Sequence, residues 1–204
     1  VIDAAIQRAV EQQDLERQDN LLVVGPNADR SIASSPATEV LLALIASGES
    51  QALEFKQTLR LDVESQALNR KLEDVVIKTI AGFTNQGGGT LLIGVRDDGV
   101  VTGIEADYPT LNGGNRDKFE LHLTHLINSH FGPAFHGSRL RVTFPMVGVA
   151  TICRVDVQRS PSGVVVKLPG GSGQPIERFY LRVGNSTQDL SLSQMTAFMA
   201  NRSR

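Results

Sequence analysis

The sequence predicts an α+β domain in which a mixed, mostly antiparallel sheet packs against two core helices. Two stretches, ending near Gln86 and Phe131, carry apolar residues at helical spacing. Six or so short runs with strand character lie around them, mostly in hairpin order and separated by Gly, Pro and Asp turns. A length of 204 residues with 41% apolar content is enough to close one core.

Residues 1–36 form a separate piece, and the main domain is expected over 37–204. Ile2, Ala5, Ile6, Val10 and Leu15 give a thin apolar stripe for a polar helix over 1–19. Asn20–Pro36 then reads as linker, with Gly25-Pro26-Asn27 and Ser34-Ser35-Pro36 in it. The piece carries six acids against three arginines, a net of −3, within a chain of net −2. Basic surface on the main domain must therefore be a local patch, and one hypothesis is that the acidic piece lies across it.

Thr38 is suited to cap a helix over Glu39–Ala46, and Gly48 ends it. Leu53–Leu59 alternates well enough for a strand. Asp62–Gln86 has apolar residues at 68, 72, 75, 76, 80 and 83, a helix period. Gly87-Gly88-Gly89 breaks that helix, Thr90–Val95 is a buried strand, and Asp98-Gly99 turns a hairpin back through Val100–Ile104. A loop over Tyr108–Asn115 leads to the second core helix, on which Phe119, Leu123, Leu126, Ile127 and Phe131 share a face. Gly132-Pro133 stops it. Strands follow at Arg139–Phe144, Val149–Val157, Gly163–Leu168 and Glu177–Val183, then a helix over Ser191–Asn201.

Four separated blocks resemble one known family. They are Glu49-Ser50-x-x-Leu53-Glu54-Phe55-Lys56, Phe83-x-Asn85-x-Gly87-Gly88-Gly89-x-Leu91-Leu92-Ile93-Gly94-Val95, Asp97-Asp98-Gly99, and Phe179-Tyr180-x-Arg182-x-Gly184-Asn185-x-Thr187. In this order, over roughly 38–190, they resemble the Schlafen-type AlbA domain, a family often labelled DNA-binding or divergent AAA-type. The resemblance implies a nucleic-acid-binding domain. Because the family also holds ribonucleases, it implies in its sharper form a metal-dependent endoribonuclease acting on RNA. The motif then maps Glu49, Glu54 and Asp97 as catalytic metal ligands for Mg²⁺ or Mn²⁺, with Lys56 assisting beside the scissile phosphate. Three convergent carboxylates are the oxygen donors such an ion takes. Glu49 and Glu54, five apart, face opposite ways on a straight strand, so a bend at Gly48–Ser50 is needed to bring them together. Without the resemblance, Glu54 and Lys56 read as a solvated strand edge and Asp97 as a turn residue.

Lys56, Arg60, Lys71, Lys78, Arg96, Arg178, Arg182, Asn185 and Thr187 are candidates for a phosphate-backbone patch, or else ordinary solvated charge. Asn85–Thr90 is a candidate phosphate cradle. A helix C-cap with close packing is the preferred reading, because no P-loop lysine is present. His122, His125 and His130 read as surface histidines before metal ligands, and the single Cys153 as a small buried hydrophobe. One cysteine and no apolar run long enough to span a bilayer point to a reducing, cytoplasmic setting without a membrane partner. The rival reading is a non-catalytic regulatory or protein-interaction module, docking to partner domains or to a second copy. A chain that starts at Val1 suits a piece of something longer.

Overall fold

The computed structural model describes residues 35–170 and 174–202. The helix and linker expected over 1–36 therefore lie almost wholly outside the described residues.

Helix α1 (Pro36–Ala46) begins one turn earlier than expected, because the Ser35 side chain accepts from Thr38 N–H at 3.2 Å and Pro36 occupies the first turn. Strand β1 (Leu53–Lys56) pairs in parallel with β4 (Gly89–Ile93), and the crossover between them contains helix α2 (Arg70–Asn85). Strand β8 (Cys153–Val157) runs antiparallel to β4, and β5 (Leu140–Thr143) antiparallel to β8. The sheet order is thus β1-β4-β8-β5. A second, antiparallel sheet has β10 (Pro175–Val183) between β9 (Val166–Pro169) and β11 (Ser186–Leu190). Two small hairpins complete the strands: β2 (Leu61–Asp62) with β3 (Ala67–Leu68), and β6 (Met146–Val147) with β7 (Ala150–Thr151).

Helix α2 is the pivot. Val76, Ile77, Ile80 and Phe83 join Leu91, Ile93, Val155 and Val157 of the first sheet in one cluster, which also takes Tyr180 from β10. From Thr79 to Asn85 every residue of α2 is buried, because a sheet lies on each side. Helix α3 (Arg116–Phe131) adds Phe119, Leu123 and Ile127 to the same cluster. The opposite face of the first sheet forms a second cluster, in which Leu41 and Ile45 of α1 cover Leu53, Phe55 and Leu92.

Three expectations need correction. The helix expected from Asp62 starts at Arg70. Asp62 Oδ1 instead accepts from the N–H groups of Glu64 and Ser65 in a local turn, and Asn69 caps the helix through Lys71 N–H. Leu68, expected on its apolar stripe, is exposed on β3. Gly132-Pro133 does stop α3 as expected, and Pro133 then occupies the first turn of a further helix, α4 (Pro133–Arg139). The hairpin at Asp98-Gly99 shrinks to a tight turn and one bridge, Val95 to Val101. The closing helix α5 (Leu192–Arg202) falls where its period places it.

Candidate nucleic-acid interface and carboxylate site

The bend expected at Gly48–Ser50 is present. Gly48 has φ +72°, and Ser50 bridges back to Leu53. It lets Glu49 Oε1 accept from Phe55 N–H at 2.9 Å, so Glu49 is tied to β1 as part of the turn. Glu54, 8% exposed, is held from both sides: Lys56 Nζ lies 2.7 Å from Oε1, and Arg182 Nη2 lies 2.5 Å from Oε2. Asp97 is exposed in the turn after β4, where its neighbours Arg96 and Asp98 pair with each other at 2.5 Å. Among the described residues no group of three His, Cys, Asp or Glu side chains could hold a metal ion. The donor set offered here does not fit Mg²⁺ or Mn²⁺, because both oxygens of its central carboxylate already face cations.

Arg182 is the centre of this knot and is only 1% exposed. Besides Glu54 it donates to the Ser50 carbonyl at 2.9 Å, and its guanidinium lies 5.3 Å from the centre of the Phe83 ring. Its burial removes it from a solvent-facing phosphate patch. Arg60 is likewise drawn inward, 3.1 Å from Glu73, and His122 reaches the same carboxylate oxygen at 2.7 Å. His122 is therefore a half-buried partner of Glu73, whereas His125 is exposed as expected. Arg96 and Arg178 sit at the surface but are paired, the latter with Asp189 at 2.7 Å. Lys78 lies 6.0 Å from the Tyr180 ring centre, and Lys71 and Asn185 are exposed. Thr187 packs its methyl group close to Gly82 and its hydroxyl 3.5 Å from Arg182. The nine candidates are thus spread over several surfaces and the core.

The glycine stretch is a packing device. Asn85 donates to the carbonyls of Val164 and Tyr180 (both 2.8 Å) and accepts from Val164 N–H at 2.6 Å, joining α2 to the second sheet. A Cβ on Gly88, where φ is +85°, would come within 2.6 Å of the Val157 carbonyl. Gly88 N–H closes the helix end on the Phe83 carbonyl. This agrees with the C-cap reading of Asn85–Thr90.

Residues that sequence reasoning passed over hold the rest. Asp107, fully buried, accepts from the N–H groups of Leu59, Arg60 and Leu61 at 2.7–2.9 Å, pinning the chain after β1. Burial pushes its carboxyl above the ordinary range, and the three donors pull the other way. Its sequence signal is slight, an acid between the hairpin that ends at Ile104 and the loop expected from Tyr108. Arg141 and Arg154 project from alternate positions of two strands that were foreseen, but their meeting depends on register, which the sequence does not display.

The fold and this knot define an α+β domain of two sheets joined by one buried helix. The chain belongs to the Schlafen, AlbA_2 family, whose profile matches residues 49–191. That membership supports a nucleic-acid-related role at the level of the family. Among solved structures, the DIP2311 protein from Corynebacterium diphtheriae is similar in fold, with a TM-score of 0.50 at 16% identity over 95% of this chain. The present chain spans about a third of the length of that protein, 34%. Comparison with curated proteins gives no significant match. Among the described residues no helix is long and apolar enough to cross a membrane.

Proposed function

We propose that this chain is a nucleic-acid-binding domain that tracks the phosphate backbone with arginine and lysine and has no metal centre built from Glu49, Glu54 and Asp97. The observation that carries this reading is how the charges are paired. Two of the three carboxylates that a metal-dependent ribonuclease would need are engaged within the fold, Glu49 by a backbone N–H and Glu54 by Lys56 and Arg182. The third, Asp97, is exposed in the turn after β4. Several cations near the free edge of the first sheet (Arg139, Arg141 and Arg159) have no carboxylate within ion-pair distance among the described residues, and Arg139 and Arg159 are joined through a backbone carbonyl. Cations that no carboxylate pairs are available to release counterions from a phosphate chain.

The test is a salt series of binding to short single-stranded RNA and to duplex DNA, first with Mn²⁺ and then with chelator. We expect log affinity to fall linearly with log salt, and the chelator to change nothing. No binding to either nucleic acid at low salt would refute the reading. Mn²⁺-dependent cleavage of RNA that Glu54→Ala abolishes, with binding nearly intact, would replace it with the ribonuclease.

A further inference from the structure

Side chains alternate along a strand, so the register of the first sheet fixes which residues share its outer face. One row across that face reads Leu53, Thr90, Asp156, Arg141, and the next reads Phe55, Leu92, Arg154, Thr143. Neither row carries a charge on β1 or β4, and each becomes charged on crossing to β8. Helix α1 covers the apolar half with Leu41 and Ile45. The charged half is left as an open cleft of about 430 Å³, walled by Ala37, Leu41, Phe144 and Pro145 and floored by Arg141, Thr143, Arg154 and Asp156.

We propose that this cleft binds a nucleoside phosphate, with the phosphate on Arg141 and Arg154 and the nucleoside against the apolar wall. The proposal rests on the nucleic-acid reading and places one nucleotide unit of the bound strand.

Arg154 is already oriented. Its Nε lies 3.0 Å from both oxygens of Asp156, its Nη2 lies 2.9 Å from Oδ1, and the Thr90 hydroxyl donates to the same carboxylate at 2.8 Å. A guanidinium has five N–H groups, so this clamp fixes the fork while leaving donors over for a ligand. Asp156 offsets one of the two cations. Arg141 is exposed and has no carboxylate partner among the described residues, so the cleft keeps a net positive charge. Two guanidiniums on adjacent strands match the spread oxygens of a phosphate, which accepts from such forks in pairs. A hydroxyl at Thr143 and an apolar wall suit a sugar and base better than bare inorganic phosphate. The volume falls within the ordinary range for small-ligand clefts.

The test uses the whole chain, with a fluorescently labelled short single-stranded RNA as probe and adenosine monophosphate as competitor. Arg141→Ala should weaken RNA binding about 5–10-fold and lower the salt slope by about one, the signature of one lost phosphate contact. Ala37→Trp, on the exposed start of α1, should fill the cleft and weaken binding with the salt slope little changed. Adenosine monophosphate should displace the RNA. If the wild-type chain binds RNA but both variants bind equally well, the cleft is not the site, and the nucleic-acid reading stands without it. If the chain binds adenosine monophosphate in an Arg141-dependent way but no RNA or DNA, the cleft stands as a free-nucleotide site and the strand reading falls. Binding of neither ligand overturns both.

Discussion

Arg182 and Arg141 are the same residue type put to opposite uses by the two sheets. Arg182 lies where β10 crosses α2, its charge met by Glu54 and a carbonyl and its face by Phe83. Arg141 lies on the edge strand of the first sheet with one side open to a cleft. A buried guanidinium has exchanged its water for fixed partners, and losing any one of them leaves a charge unsatisfied. An exposed one without an acid keeps its water and gives it up readily to an incoming anion. The contrast separates charge that specifies the fold from charge available for recognition, and motif position alone does not separate them.

The largest effect expected from that contrast is at the buried end. Arg182→Met removes the cation from beside Glu54 and should destabilise the domain by about 3–5 kcal/mol, the usual cost of stranding one partner of a buried pair. Urea denaturation monitored by circular dichroism measures it. The double change Glu54→Leu with Arg182→Met should recover part of this loss, because no charge is then stranded. Recovery should be incomplete, since the Ser50 carbonyl still loses its donor. A cost under about 1 kcal/mol for the single change would show that the knot is not what holds β10 against α2.

Asn85→Ala comes next. It leaves the Tyr180 carbonyl of β10 and both the carbonyl and the N–H of Val164, just before β9, without their partner, and at about 1 kcal/mol for each the loss should be roughly 2–4 kcal/mol. The same denaturation experiment reads it, together with RNA affinity measured where the variant remains folded. Unchanged stability with lost RNA affinity would restore the phosphate-cradle reading of Asn85–Thr90.

Much of this molecule is legible in its sequence because a period of 3.6 or 2 survives local detail. Helix α3 falls on its expected span, and the glycine stretch ends α2 as its composition implies. What escaped depends on long-range placement. Alternation correctly puts Arg178 and Arg182 on one face of β10, yet says nothing of where along the strand α2 crosses it. The first half of β10 is exposed and most of the second half is buried, so one arginine is solvated and the other enclosed. The start of α2 was missed for a local reason, because a helical period in Asp62–Asn69 lost to side-chain turns made by Asp62 and Asn69. The outer-face cleft was missed because its four polar residues become neighbours only through register. The acids of the motif were found, but the cation that closes Glu54 comes from a strand 128 residues further on.

Cys153 tests the interior by a chemical route. It is fully buried on the inner face of β8, and burial pushes its thiol well above the range in which thiolate forms near neutral pH. Alkylation at pH 8 should therefore be negligible in the native chain and should speed up as denaturant opens the core. The rate should rise in parallel in the Arg182→Met variant, since both report the same core. Prompt labelling of the native chain would mean that the first sheet opens locally.

The smallest effect is expected at Arg178, which shares its strand face with Arg182 and was a candidate for the same phosphate patch. Its partner Asp189 is on the neighbouring strand, both side chains are more than a third exposed, and their 2.7 Å contact is screened by solvent. Arg178→Ala should therefore change stability by no more than about 0.5 kcal/mol. Its cation already has an acid beside it and contributes little to a phosphate-tracking field, so RNA affinity and the salt slope should stay within error of wild type. Run beside Arg141→Ala, this pairing separates net charge from placement, because each variant removes one positive charge. Equal losses from both would mean that RNA responds to overall charge and not to the open face of the first sheet. A loss confined to Arg141→Ala would mean that an arginine's availability, set by whether an acid has already claimed it, decides what it recognises.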